Sequence, residues 1–272
     1  MFEKIFFNLN EKKPLVHCIT NFVTVNDCAN IVLACGGSPT MAHHKDEVEE
    51  IAACCQSLVL NMGTVSEIEA MVLAGKKCNE LNIPVIIDPV GMGASQLRNK
   101  TFDELSKNIH FSVIRGNVSE IKRIATGKGS TSGVDASDID KITENNIYEV
   151  ARMAKDLSKK MNSVIVVSGP IDIVADESTS YIIRNGHPIM ARITGSGCMS
   201  TALLGAFCGA NKENILEASA AAVAAMGVCG EMAHKKMKLT EGGTMTFRML
   251  LIDYISNMTS EMINEEINIE KI

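Results

Sequence analysis

The chain has 272 residues, 46% hydrophobic and 21% charged, with a net charge of −6. That apolar content supports a sizeable core, while the acidic balance and scattered Lys and Arg argue against nucleic acid as a partner, because backbone binders usually present a basic patch. Nine cysteines with no targeting signal point to a reduced, cytoplasmic setting, and no segment reads as long enough to span a membrane. No Pro/Ser-rich linker or shift in composition marks a boundary, so one domain over residues 1–272 is expected.

Residues 15–20 are short and β-branched, as in a buried strand. Asn21 follows, then a helix whose apolar positions include Val25, Cys28, Ala29, Val32 and Leu33. Gly36 and Gly37, with Ser38 and Pro39, stop that helix and turn the chain. Residues 46–55 read as helix and 57–61 as a second strand. Thr64 and Glu67 have capping-box spacing for a helix ending near Lys77. Strands are expected at 83–88 and 111–115, the latter leading through Gly116 into a helix carrying Asn117, Glu120 and Ile121. Residues 127–138 read as a surface loop, 146–161 as a long helix, and 163–168 as a fifth strand. Residues 171–175 and 179–183 then suit a hairpin near one sheet edge. An alanine-rich helix covers 218–225, Lys235, Lys236 and Lys238 suit a helix C-terminus, and a last helix covers 244–257. The alternation predicts an α/β sandwich with a largely parallel sheet covered on both faces.

The most informative stretch is Thr194, Gly195, Ser196, Gly197 and Cys198. Met199, Ala202, Leu203, Ala206, Phe207 and Ala210 recur at helical spacing behind it, so a helix starts near Gly197. Its first N–H groups lack intrahelical partners and carry about half a positive charge, which favours an anion. Cys198 stands in the mouth of that site. Polar or glycine residues also sit at the end of each predicted parallel strand: Asn21, Asn61 with Gly63, Asp88, Arg115 with Asn117, and Ser168. In open α/β sheets ligands bind beyond these ends. Phosphoryl transfer requires charge neutralisation, a metal held through few carboxylates, and a positioned acceptor. Asp88 and Glu120 are candidate Mg²⁺ holders, Arg115 a candidate phosphate contact, and the glycine turn a candidate for developing charge. His17 reads as a hydrogen-bonded core residue, and His43 with His44 as an exposed loop pair. The remaining cysteines, Cys28, Cys35, Cys54, Cys78, Cys208 and Cys229 among them, read as small hydrophobes.

Residues 15–21, 38–41, 88–90, 114–120, 166–169 and 194–198, with 242–247 near the end, resemble the hydroxyethylthiazole kinases of thiamine salvage, in the ribokinase-like superfamily. The likeness runs in order from about residue 14 to residue 255. It implies a three-layer αβα kinase that phosphorylates 4-methyl-5-(2-hydroxyethyl)thiazole from ATP with Mg²⁺, as a homotrimer with active sites between subunits. By the same resemblance Met41 and Gly195 contact the thiazole and Asn21 and Gly63 line its pocket. Arg115, Ser168 and Asn117 serve ATP, and Asp88 and Glu120 the metal. Cys198 takes the place of a common aspartate base. Competing readings are a ribokinase-like kinase of another small alcohol, such as a hydroxymethylpyrimidine, and a hydrolase using Cys198 as nucleophile.

Overall fold

The computed structural model describes residues 1–127 and 142–272. Nine strands form one sheet: β1 (Leu15–Ile19), β2 (Ser38–Thr40), β3 (Ser57–Asn61), β4 (Val85–Asp88), β5 (Val113–Asn117), β6 (Val164–Ser168), β7 (Asp172–Ala175), β8 (Ser180–Ile183) and β9 (Ile269–Lys271). Their spatial order is β2-β1-β3-β4-β5-β6-β7-β8-β9. The pairings from β2 through β6 are parallel and those from β6 to β9 antiparallel. Because successive strand side chains point to opposite faces, the apolar strands feed two cores. Val16, Val59, Ile86 and Val113 pack under α1 (Glu3–Lys12), α2 (Val25–Ala34), α8 (Ser196–Ala210), α9 (Ile215–Leu239), α10 (Thr244–Ser256) and α11 (Ser260–Glu266). Leu58, Leu60, Ile87 and Ile114 pack under α3 (Val48–Cys54), α4 (Ile68–Glu80), α5 (Gln96–Asn108), α6 (Val118–Thr126) and α7 (Ile147–Met161). The result is the expected three-layer αβα sandwich.

Several local expectations need correction. The turn at Ser38–Thr40 is a short edge strand, and Pro39 is tolerated there because it pairs on one side only, opposite Val16. The Thr64–Glu67 capping box does not form: α4 starts at Ile68 with no side-chain cap, and residues 62–65 stay in the loop that Arg98 grips through the carbonyls of Met62 and Gly63. α4 also runs three residues past Lys77. Helices α1, α5 and α11 and strand β9 add to the expected elements. α5 buries only Thr101, Phe102 and Leu105, too narrow a stripe for a clear period, although its Ser95 N-cap accepts from the Arg98 N–H at 3.2 Å. The hairpin forms, but β9 and not β8 is the sheet edge. Cys54 is exposed, unlike the other helical cysteines. Of the predicted loop, including its 127–133 glycine stretch, only Gly127 lies within the described residues, as the left-handed C-cap of α6. Finally, α9 does have the length and apolar composition of a membrane span, contrary to expectation, and 78% of its most apolar window is buried inside the fold.

Candidate active site

Parallel strands end on one side of the sheet, and five neighbouring ends carry one continuous polar row. Asn21, just beyond β1, donates from Nδ2 to Asn61 Oδ1 at 3.1 Å. Asn61 closes β3 and donates to Asp88 Oδ2 at 3.2 Å, the two residues being register partners. Arg115 on β5 lies 3.5 Å from the same oxygen and donates from Nη2 to Ser168 Oγ at 2.8 Å, where β6 ends. The strand order alone brings these residues together, from positions 147 apart in sequence between first and last.

Helix α8 sets its N-terminus over this row. Gly195 is its N-cap at φ 84°, a left-handed conformation that disfavours a side chain. A Cβ at Gly197 would come within 2.8 Å of Arg115 Nη1, so the missing side chain lets the guanidinium sit against the first turn. Ser57 Oγ donates to the Gly205 carbonyl at 2.7 Å and holds the helix down on β3. Cys198 Sγ accepts from Asn21 at 3.4 Å and Asn61 at 3.3 Å, and Thr201, one turn on, donates to Asp88 Oδ2 at 2.8 Å.

Asp88 is 1% exposed, and its second oxygen, Oδ1, is buried without a partner among the described residues. Burial pushes its carboxyl up, against the opposing pull of Arg115 and Thr201. Glu120 forms a capping box with Asn117: its Oε2 accepts the Asn117 N–H at 2.8 Å, while Asn117 Oδ1 accepts the Glu120 N–H at 2.9 Å. Its other oxygen accepts the Gly91 N–H at 2.8 Å. Burial first, and the Asp88 charge second, raise Glu120 to about 7. Among the described residues no three His, Cys, Asp or Glu side chains cluster as an all-protein metal cage. The unpartnered Asp88 Oδ1 beside Glu120 fits instead a Mg²⁺ that would keep waters and take most of its ligands from phosphates.

Glu120 supports a linkage prediction. A carboxyl whose folded pKa is raised favours the folded state while protonated, so that contribution is complete below the unfolded value and is lost as pH climbs through the folded one. In Mg²⁺-free buffer the parent is expected to lose about 2–3 kcal/mol relative to Glu120→Gln between about pH 4.5 and pH 7. Urea denaturation across that window measures the difference, and parallel curves for the two proteins would refute it.

Not every expected residue joins the row. Gly63 borders it, its N–H donating to Asn61 Oδ1 at 2.8 Å. Met41 follows edge strand β2, half-buried, and packs against the core on the α8 side with no bond to Cys198. The structure adds Asn61 and Thr201 to the expected site residues, and also Asp27 and Arg248, which pair across α2 and α10. Asp27 Oδ2 lies 3.6 Å from where a Gly195 Cβ would stand. Only Asn61 carried a sequence signal, its place at a strand end. His17 is the expected core residue, 2.7 Å from the Ala42 carbonyl. No described histidine bonds to Cys198, whose thiol is raised by burial and then by the Asp88 charge. That argues against a cysteine nucleophile.

The sequence profile of the hydroxyethylthiazole kinase family matches residues 6–261. The hydroxyethylthiazole kinase of Clostridium acetobutylicum is 48% identical over 260 residues, 95% of each chain. That of Clostridium tetani is 47% identical over 270 residues, 97% of each. A solved hydroxyethylthiazole kinase structure from Pyrococcus horikoshii superposes with a TM-score of 0.88 at 30% identity, covering 100% of this chain and 98% of that one. The Bacillus subtilis pyridoxal kinase solved with ADP shares the fold alone, with a TM-score of 0.57 at 16% identity over 79% of this chain and 90% of that one. With an αβα core, a polar row under a glycine turn, and identity approaching one half along almost the whole chain, the protein is a kinase of the hydroxyethylthiazole kinase family.

Proposed function

We propose that the protein, as a single cytoplasmic kinase domain over residues 1–272, transfers the γ-phosphoryl group of ATP to the hydroxyl of 4-methyl-5-(2-hydroxyethyl)thiazole, with Mg²⁺, in thiamine salvage. The observation that carries the reading is the unbroken row from Asn21 to Ser168 beneath the N-terminus of α8. Arg115, with Ser168 and Asn117 beside it, binds the nucleotide's phosphates, and the N–H groups after Gly195 take charge that develops on the transferring group. Asp88 and Glu120 hold the metal, which when bound neutralises charge on the phosphates. Asn21, Gly63, Gly195 and Met41 shape the thiazole pocket, with Cys198 at the alcohol. As the hydroxyl oxygen bonds to phosphorus the bond to ADP breaks, ADP leaves with the electron pair, and the hydroxyl proton passes to the Cys198 thiolate. Phe22 and Val23, 78% and 62% exposed directly after Asn21, support a homotrimer in which a neighbouring subunit closes this pocket. Light scattering showing a fully active monomer would exclude that shared site. Purified protein given ATP, Mg²⁺ and the thiazole alcohol is expected to yield the phosphate ester by mass detection. A blank trace would end the functional reading.

Because burial raises the thiol, its reactive form is scarce near pH 7 and grows with pH. The parent's kcat is therefore expected to climb from pH 7 to pH 9. Cys198→Ala is expected to lose about 10- to 100-fold and remain active, since proton transfer is a modest part of a loose phosphoryl-transfer barrier. Cys198→Asp should match or exceed the parent, because its carboxylate receives the same Asn21 and Asn61 donors, and its alkaline rise should vanish. An inert, folded Asp variant, or a phosphorylated Cys198 in intact-mass spectra, would show that the thiol has another task.

A further inference from the structure

Two loops that serve the row are tied together by one side chain outside it. Arg98 lies in the first turn of α5, where its own N–H donates to the N-cap hydroxyl of Ser95 at 3.2 Å. From there the half-buried side chain runs back over the loop that follows β4. A Cβ at Gly91 would fall 2.9 Å from Arg98 Cδ and 3.1 Å from Nε, so the stem lies flat on a residue with no side chain, itself at φ 74°. Nη1 donates to the Val90 carbonyl at 2.7 Å and also to the Met62 carbonyl, across in the loop after β3. Nη2 donates to the Gly63 carbonyl at 3.1 Å. Among the described residues no carboxylate pairs with Arg98, and its side chain is committed to these carbonyls. Each gripped loop has a second bond into the row. Gly63 N–H donates to Asn61 Oδ1 at 2.8 Å, and a Cβ at Gly63 would fall 2.8 Å from Asn21 Cβ. Gly91 N–H donates to Glu120 Oε1 at 2.8 Å. Asn99, beside Arg98, accepts the Gly93 N–H at 2.9 Å and holds the same loop from α5.

We propose that Arg98 is a positioning residue for phosphoryl transfer, one that fixes the alcohol pocket at Gly63 relative to the carboxylate of Glu120, given the alcohol and metal roles proposed above for those two residues. Past the ends of β3 and β4 the ladder stops, so the carbonyls of Met62, Gly63 and Val90 need donors from elsewhere. A guanidinium presents its N–H groups in one rigid plane, and a single group therefore bridges both loops at a set separation. An ammonium is a point charge without that plane and reaches fewer of the carbonyls. The alcohol is held from one loop and the metal carboxylate from the other, and an error of about 1 Å in such spacing costs on the order of 100-fold in rate. Arg115 and Ser168, on β5 and β6, bond each other outside this clamp, so the nucleotide contacts stay in place without it.

Steady-state ADP release from the parent, Arg98→Ala and Arg98→Lys at saturating Mg²⁺ tests this. Arg98→Ala is expected to lose about 100-fold in kcat and to raise KM for the thiazole alcohol about tenfold, while KM for ATP stays within about threefold. Arg98→Lys keeps a stem over Gly91 and should fall between, losing about tenfold in kcat. Amide hydrogen exchange without substrate or metal reads the clamp itself. Peptides carrying Gly63 and Gly91 should both exchange about tenfold faster in Arg98→Ala, with β5 and β6 as slow as in the parent. An active parent with both variants within threefold of it in kcat and alcohol KM overturns the proposal. A rise in KM for ATP as large as that for the alcohol does so too, as does exchange that quickens in one loop only or in neither. If Arg98→Ala alone fails to fold, Arg98→Lys is held to the same readouts, and loss of the fold in both makes Arg98 purely structural and overturns the positioning role. A parent inactive on the thiazole alcohol ends the functional reading instead, and the exchange result then decides whether Arg98 couples the two loops.

Discussion

Asp88→Asn is expected to remain folded, with a lower Tm than the parent, and to lose about 10³-fold or more in kcat. The acceptor bonds at Asp88 are concentrated on one oxygen, Oδ2, which takes Thr201, Asn61 and the Arg115 contact. The other oxygen is buried and unpartnered. An asparagine therefore fits with its amide oxygen in the place of Oδ2 and its NH₂ in the place of Oδ1. Neither orphans a donor that Asp88 now serves, but the Arg115 charge loses its partner, so the change preserves shape at some cost in stability. If Asp88 holds the metal against the phosphates, losing the carboxylate charge removes stabilisation realised only as the phosphoryl group transfers, worth about 4 kcal/mol for a thousandfold effect. KM for the thiazole alcohol should move little, since its proposed contacts lie toward Asn21 and Cys198. Steady-state ADP release with a thermal melt of the same sample measures both sides. A folded Asp88→Asn enzyme within tenfold of the parent's kcat would remove Asp88 from the chemistry.

Arg115→Ala should weaken ATP binding and the fold together. The guanidinium is 13% exposed, lies 3.5 Å from a carboxylate that is 1% exposed, and bonds Ser168. Removing one partner of a buried pair leaves the other charge uncompensated, at a cost of about 3 kcal/mol. KM for ATP should rise about 10- to 100-fold as phosphate contacts disappear. The double variant Arg115→Ala with Asp88→Asn should recover most of the lost stability, because the carboxylate that needed a partner is gone, and should recover none of the turnover. A coupling of about 2 kcal/mol in the double-mutant cycle is expected from urea melts. Additive losses would show that the two side chains do not act as a pair.

Much of this organisation is legible along the chain. The apolar runs within 57–61, 83–88 and 163–168 announce covered strands because a strand buried on both faces needs apolar residues on both. The start of α8 is visible in Gly195 and in the apolar spacing after it. The strand-end residues Asn21, Asp88, Arg115 and Ser168 mark the ligand side of the sheet before any fold is known. Glu120 is visible too, but spacing alone does not tell its capping box with Asn117 from the Thr64–Glu67 pair, which has the same spacing where Arg98 holds the chain in a loop.

Other features belong to the tertiary structure alone. Nothing local to Thr201 says that its hydroxyl meets Asp88, 113 positions earlier, and nothing near Asp27 names Arg248, 221 positions later. The sheet order that lines up Asn21, Asn61, Asp88, Arg115 and Ser168 is likewise absent from any window of sequence. Periodicity reports which face of a segment is buried, because that depends on neighbours three or four positions away. Which segment then lies alongside is decided by packing two cores against one sheet, and that choice alone turns five scattered polar residues into one site.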